Sequence, residues 1–397
     1  MLMFMVFVLI TYNSNNSPVR KHHDDRKRPS QVAKMAFGEA GCYLTLFVML
    51  VFMVFVLIAY MVLVRDVWSG LAELVLGVVF TEQQANVVLM VALCVCLPAC
   101  LAKSLHALRH MCYVGFFSAL CLTVSVGIRC VQKNEEYPEL RADIKLVADS
   151  WDDVLAGFPI MVLAFMCHYN MLSVHAQLVD PTRERVRGII DAAMALAGAL
   201  YILLGLFGYL YGYDQTSDDI LLNFPPSDPV ILLGRVGMGV TMLVAIPMLV
   251  LPARATIMEL MAVVANVIKE KCGGNKYAPL DGPGPVGTDS MRSEDGDDGV
   301  ASSCFKLARH LLLTLTVIAA GYIAATVVPG VGVVWSICGS SVGFMICYVL
   351  PAAFYLKIRA HKAWNARKLG AWVVLIVTSA AIYLCTKQAI MSVMASA

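Results

Sequence analysis

Polar side chains are scarce within the long apolar stretches of this chain, so each one that interrupts them needs a reason. The densest interruption is Cys167-His168-Tyr169-Asn170, soon followed by Ser173, His175 and Gln177, in a run that opens with Gly157-Phe158-Pro159. Hydrogen-bonding side chains at the middle of a bilayer are costly unless they face the protein interior or a wet cavity. One reading is an interrupted helix, whose freed N–H and C=O groups and helix ends match the charges of a zwitterion. The other is a continuous helix facing the interior, with His168 and Asn170 satisfied by neighbouring helices. His168 is also the residue type that changes charge near neutral pH, since an unperturbed imidazole titrates at about 6.5.

A second set lies in the run 229–252, with Arg235 near one end, Thr241, Pro247 and Pro252 within it, and Arg254 just beyond. A proline inside a spanning helix frees a carbonyl and permits a kink. Thr241 offers a hydroxyl to a coupling ion, although bonding back to its own helix is the commoner use of such a residue. Arg235 and Arg254 are placed to snorkel or to cap. Asp191 and Lys387 fall near helix ends and suit the membrane interface. Gly330, Gly332, Gly339 and Gly343 suit close helix packing.

Other chemistries find little support. The 13 cysteines fall mostly in apolar runs, as at Cys94, Cys96, Cys100, Cys121, Cys338 and Cys347, where the thiol packs as a small hydrophobe. Cys94-Val-Cys96 lacks zinc spacing and no His pair accompanies it, so no metal site is expected. Gly282-Pro-Gly-Pro-Val-Gly287 lacks the lysine of a phosphate loop. Neither a nucleophile–base pair nor a cofactor motif is present, and an enzyme is not expected. A net charge of +2 gives no support for a nucleic-acid partner.

The elements that must position these residues are membrane helices. Hydrophobic residues make up 59% of the chain and charged ones 15%, with a mean hydropathy of +0.74; a soluble domain carries about 25% charged residues. Nine runs are long enough to cross a bilayer, at 42–64, 85–101, 110–130, 154–176, 188–212, 229–252, 307–328, 331–356 and 370–391. The expected fold class is therefore all-α, a polytopic membrane helix bundle.

Lysine and arginine set the expected orientation. Arg20, Lys21, Arg26, Lys27, Arg28, Lys34, Lys103, Arg109, Arg183, Arg185, Arg187, Lys357, Arg359, Lys362, Arg367 and Lys368 fall on one side. Arg65, Arg129, Lys133, Arg141 and Lys145 fall on the other. The positive-inside rule puts the first side in the cytoplasm, and the acidic segment 131–153 outside. Segment 270–305 is rich in Gly, Pro, Ser and Asp and is expected to be a disordered cytoplasmic linker. The glycosylation triplet Asn15-Asn16-Ser17 then lies on the wrong side to be used. The chain divides into 1–41, a short apolar stub plus a basic cytoplasmic segment, and 42–397, the transmembrane domain. Within the stub, Phe4-Met-Val-Phe-Val-Leu-Ile10 repeats letter for letter at Phe52–Ile58, with no wider period; a local duplication or a mis-set start of the gene accounts for it at least as well as coincidence.

Several of these stretches resemble one known family in chain order. Phe165-Met-Cys-His-Tyr-Asn170, followed by Gln177-Leu-Val-Asp-Pro181, resembles the sixth helix of the amino acid/auxin permease family, which includes sodium-coupled neutral and vacuolar amino-acid transporters. Phe207-Gly-Tyr-Leu-Tyr-Gly212 and Ser217–Phe224 are similar to its seventh helix and outer loop. Arg235 and Ile246-Pro-Met-Leu-Val-Leu-Pro-Ala-Arg254 are similar to its eighth, and Val328-Pro329, Cys338-Gly-Ser-Ser-Val-Gly343 and Leu350–Tyr355 to its ninth and tenth. Met35-Ala-Phe-Gly-Glu-Ala-Gly41 resembles the approach to its third.

The resemblance implies an inverted-repeat, five-plus-five fold with an eleventh helix, and a substrate held between broken helices one and six. On that scheme the nine runs are helices three to eleven and Met1–Tyr12 falls at helix two, so the fold is expected to be N-terminally incomplete. Phe165, Met166, Cys167, His168, Tyr169 and Asn170 then form the surviving part of an amino-acid site. Backbone groups around Cys167 and His168 are expected to meet the substrate's main-chain charges, and Tyr169 and Asn170 to shape its side-chain pocket. Sodium-coupled members often place a hydroxyl two residues before the proline of helix eight; Ala245 stands there, so a proton is the preferred coupling ion over sodium. The function implied is secondary active transport of amino acids by alternating access, in the plasma membrane or a vacuole-like membrane. The alternative is a transport-incompetent relative acting as an amino-acid sensor or as the partner of a full-length transporter.

Overall fold

The computed structural model describes residues 29–101, 111–136, 145, 147–148, 150–166, 182–217, 219–225, 227–271, 300–361 and 363–396. Among them the chain forms nine helices and no strand: α1 (Pro29–Leu76), α2 (Glu82–Cys100), α3 (Met111–Glu136), α4 (Trp151–Ala164), α5 (Arg183–Gly212), α6 (Pro229–Lys271), α7 (Val300–Val327), α8 (Val331–Ile358) and α9 (Ala366–Ser396). Two short 3-10 turns, Tyr213–Gln215 and Ile220–Asn223, bridge α5 and α6. Eight of the nine helices are long and apolar enough to cross a membrane. The exception is α4, which has 14 residues. Residues 1–28, with the repeat at Phe4 and the triplet at Asn15, lie outside the described residues.

Two expected boundaries shift. The run at 42–64 is the middle of a longer helix, because α1 begins at Pro29 and continues through Arg65 and Asp66 to Leu76. Arg65 does not end the helix, since its Nη1 finds the Ala325 carbonyl of α7 at 3.0 Å. Gly38, at φ 69° and ψ −155°, kinks α1 where the chain turns from the basic segment into the span. At its far end Gly77 takes a positive φ and its amide bonds the Glu73 carbonyl at 2.8 Å, closing the helix as a left-handed cap. The segment expected as a linker at 270–305 is helical at its margins, since α6 reaches Lys271 and α7 starts at Val300.

Helix starts carry local caps. Thr81 and Gln84 form a capping box on α2, the Thr182 hydroxyl accepts the Arg185 amide on α5, and Ser150 pairs reciprocally with Asp153 on α4.

The bundle is organised around α1 and α6, which share the most extensive interface; α2, α7 and α8 pack on α1, while α2, α3 and α7 pack on α6. Leu57, Met61, Val62, Leu89, Ile246, Leu251 and Phe344 are fully buried within it. In lipid no hydrophobic force favours one apolar neighbour over another, so close van der Waals fit and interhelical hydrogen bonds decide the packing. Small residues on α6 supply that fit. A side chain at Gly234 would meet the Leu122 Cα of α3 at 3.0 Å, and one at Gly237 would meet Ser118 Oγ at 2.5 Å. Gly239 lets Trp68 of α1 approach and donate from Nε1 to its carbonyl at 3.3 Å.

The outer surface is apolar in turn. Val91 and Val95 on α2, Phe117 and Val124 on α3, and Ile376, Val377 and Leu384 on α9 are all exposed. An apolar belt of this extent is incompatible with water and matches lipid. The molecule is a multi-pass α-helical membrane protein.

Candidate functional site

Helix α4 begins on the side of the acidic loop, with Asp152 and Asp153 in its first turn and the Ser150–Asp153 capping box behind them. Those carboxylates complement the positive end of the helix. The helix stops at Ala164, and 14 residues span only about 21 Å, short of a hydrocarbon core of about 30 Å. Pro159 lies in its interior, and Phe165 leaves the helical path at φ −98° and ψ 11°. The chain closes there with a tight turn, the Met166 amide bonding the Leu163 carbonyl at 3.1 Å. A helix end therefore sits inside the bundle, with Met166 only 6% exposed.

Two neighbours hold that end. From α5, the Tyr201 hydroxyl donates to the Ala164 carbonyl at 3.0 Å. Its ring meets Phe165 edge-on, with centroids 5.3 Å apart. Gly198, one turn before Tyr201, faces the Phe165 ring, and a side-chain carbon there would meet it at an ordinary contact distance of 3.7 Å. On the opposite side, α8 presses close: a side chain at Gly339 would collide with the Pro159 carbonyl, and one at Gly343 would meet Leu163 at 3.2 Å. Packing is thus the role of both glycines.

Helix α8 departs from α-helical winding through Gly339–Gly343 and Met345–Val349, where π-helical turns widen it beside α4. Such turns loosen carbonyls from their usual partners. The Ser340 carbonyl accepts instead from Thr386 of α9 at 3.1 Å.

Of the residues expected to bind substrate, Phe165 and Met166 lie at this helix end, whereas Cys167, His168, Tyr169 and Asn170 lie outside the described residues. Thr241 is buried, and its hydroxyl donates to the Gly237 carbonyl of its own helix at 2.7 Å. That is the back-bonding use, with the oxygen's lone pairs still able to coordinate. Ala245 is buried and offers no oxygen from its side chain. Tyr201 was not singled out from the sequence. Its only local signal is the Gly198–Tyr201 spacing, which puts a small residue and a hydroxyl on one helical face.

Both arginines of α6 cap rather than snorkel. Arg235 is 5% exposed and its Nη2 donates to the carbonyls of Leu221 at 2.7 Å and Phe224 at 3.0 Å, ending the second 3-10 turn. Nearby, Asp228 caps α6 through the amides of Val230 and Ile231 and pairs with Arg129 of α3 at 2.7 Å. Burial pushes the Asp228 carboxyl up, but the Arg129 hydrogen bond and the two amides overcome it and hold the group below the usual carboxylate range. Asp219 goes the other way: burial raises it, opposed by the Leu221 amide, with Asp66 adding to the rise and Arg235 lessening it.

Further along α6, Arg254 is 6% exposed. Its Nη1 lies 3.0 Å from Thr314 Oγ1, 3.0 Å from His310 Nε2 and 3.4 Å from the Cys100 carbonyl. Asp191 and Lys387 are exposed, and Asp191 pairs loosely with Arg187 at 3.6 Å.

A helix end buried at mid-bundle offers partial negative charge to a cation such as an ammonium. Several known proteins are similar to this chain. "Solute carrier family 38 member 10" of Mus musculus is 24% identical over 376 residues, covering 92% of this chain and 31% of its own length. "Amino acid transporter AVT6B" of Arabidopsis thaliana is 25% identical over 370 residues, covering 87% of this chain and 73% of its own. "Vacuolar amino acid transporter 5" of Saccharomyces cerevisiae is 25% identical over 267 residues, covering 66% of this chain and 57% of its own. This chain thus spans about a third of the length of the mouse relative. The family described as "Transmembrane amino acid transporter protein" matches residues 2–394, and with that match over nearly the whole of its length the chain belongs to the transmembrane amino acid transporter family.

Proposed function

We propose that this protein moves amino acids across a membrane by secondary active transport with alternating access. The observation that carries the reading is the short helix α4, whose C-terminal end stops within the bundle at Ala164–Met166. The negative end of a helix attracts a substrate ammonium, and the segment Cys167–Asn170 continues from that point in the chain with the polar groups to complete a site. Phe165 and Met166 form the apolar wall next to it. The inverted five-plus-five layout belongs to this reading and is supported by the family. Relatives named for amino-acid transport, one of them vacuolar, support the substrate class and a vacuole-like or plasma membrane.

A proton is the coupling ion we favour, because Ala245 supplies no side-chain oxygen for sodium. His168 follows Met166 by two residues in the chain, and histidine is the residue type whose unperturbed charge change falls near neutral pH.

The test is uptake of a labelled amino-acid mixture into proteoliposomes under a proton gradient, a sodium gradient or neither. Proton-driven uptake that is abolished in His168→Ala, with the variant still folded, is the expected result. Uptake unchanged in that variant would remove His168 from the site. Binding without flux under any gradient would replace transport with a sensor or partner role.

A further inference from the structure

The end of α4 is gripped from two sides, by helices that belong to different parts of the bundle. Val162 and Met166 are buried in the large core that α1 and α8 also line, with Leu155 and Leu163 packed against it. Phe165, one residue before Met166, belongs instead to a small separate cluster with Met194, Ala197 and Tyr201 of α5. Those three residues and Gly198 stand at i, i+3, i+4 and i+7, on one face of their helix. Elsewhere the two helices keep different company, since α5 packs on α3 whereas α4 packs on α8 and α9. Two consecutive residues at the helix end are therefore held by different groups of helices.

Hydrogen bonding divides in the same way. A helix leaves its last carbonyls to be satisfied by other groups. The turn that follows α4 takes two of them, the Phe165 amide bonding the Met161 carbonyl at 3.3 Å and the Met166 amide bonding the Leu163 carbonyl at 3.1 Å. The Ala164 carbonyl, the last of the helix, is taken from across the bundle by the Tyr201 hydroxyl at 3.0 Å. The Tyr201 ring also stands edge-on to Phe165, with 77° between the planes. Ring contact is broad in its geometry, whereas a hydrogen bond fixes distance and direction, so the hydroxyl sets where the helix end stands against α5. A binding site tolerates little error of that kind, because its groups must be held to within about 0.5 Å.

We propose that Tyr201 is a positioning residue for the amino-acid site: through the Ala164 carbonyl it fixes the end of α4 against α5 and so sets the affinity for the substrate. The role in affinity rests on the transport reading above, whereas the joint between α4 and α5 does not.

Tyr201→Phe tests both parts, because the ring that packs on Phe165 remains and the hydroxyl alone is lost. In nanodiscs, amide hydrogen exchange over residues 163–166 should quicken about three- to tenfold, as for one lost bond between neutral groups, with the rest of the bundle unchanged. In proteoliposomes, the KM of the amino acid taken up best from a labelled mixture should rise by a similar factor, with little change in the maximal rate. Tyr322→Phe is the control for a general loss of rigidity. It removes the same group from a bond to the Asn86 carbonyl, at 3.4 Å between α7 and α2, and should leave both readouts at their wild-type values. Unchanged exchange over residues 163–166 in Tyr201→Phe overturns the joint. Faster exchange with an unchanged KM, or a KM that rises equally in Tyr322→Phe, overturns the positioning role. If the wild type binds amino acids without taking them up, the binding constant replaces KM and the transport reading alone falls. Wild-type protein that neither binds nor takes up amino acids removes the transport reading together with the role in affinity, and the exchange result still decides the joint.

Discussion

Helix α6 carries two buried arginines 19 residues apart, about 28 Å along the helix axis and close to the thickness of a hydrocarbon core. Arg235 lies near its start and Arg254 past its middle, and they are held differently. Arg235 donates to backbone carbonyls in the turn between α5 and α6, groups that have no second protonation state. Arg254 is held by a histidine, a threonine and a more distant carbonyl. The same residue type on the same helix is thus fixed to loop carbonyls at one site and to side chains of α7 at the other. The partners, rather than the arginine, make the difference, because guanidinium stays charged in either place.

The comparison predicts unequal costs. Arg235→Met removes the donor from two buried carbonyls and from the end of a 3-10 turn. The expected loss of stability is on the order of 3 kcal/mol, read by denaturant unfolding in mixed micelles. A loss below about 0.5 kcal/mol, the range of ordinary surface substitutions, would end the idea of a clamp. Arg254→Met should cost less, about 1–2 kcal/mol, because Thr314 and His310 lie close enough to find other partners. Smaller again is Thr314→Val, at about 1 kcal/mol. That variant removes one of the side chains that hold Arg254 and leaves the His310 contact in place.

The smallest effects concern acid titration beside Arg235, and they have opposite signs. The folded Asp228 carboxyl is held low, so its stabilisation is present above its unfolded value and is lost as pH falls through the lowered one. Asp228→Asn should therefore remove part of the acid-side loss of stability. Asp219 is held high, so the folded state favours its protonated form, and stability falls as pH rises from the ordinary carboxylate value through the raised one. Asp219→Asn should flatten that dependence while keeping the side-chain oxygen that accepts from the Leu221 amide. Unfolding curves from pH 3 to 7 that move in the same direction for both variants would break this part of the comparison.

Much of the fold was legible in the residues. Eight of the nine apolar runs correspond to helices long enough to cross, and the ninth was marked as irregular by Pro159 and by the polar cluster starting at Cys167. The helix there ends at Ala164, three residues before that cluster begins to interrupt the apolar run. Met166 and Phe165 were drawn in by family resemblance, while Tyr201, His310 and Thr314 were not. Each is a single polar residue on an apolar helix, and nothing in its own neighbourhood separates a partner from a spectator.

Sequence alone determined the membrane setting, the spans and the family, because hydropathy, helix length and motif order are properties of short contiguous segments. Tertiary structure alone decided which carbonyl Tyr201 takes, why Gly339 has no side chain, and what stands beside each arginine. Those partners come from far along the chain: Arg254 meets a threonine 60 residues away and a carbonyl 154 residues away. In a bilayer, apolar helices have no solvent-driven preference for one neighbour over another. The small residues that permit close approach, and the few polar groups that must find partners, select the arrangement only once all the helices are in place.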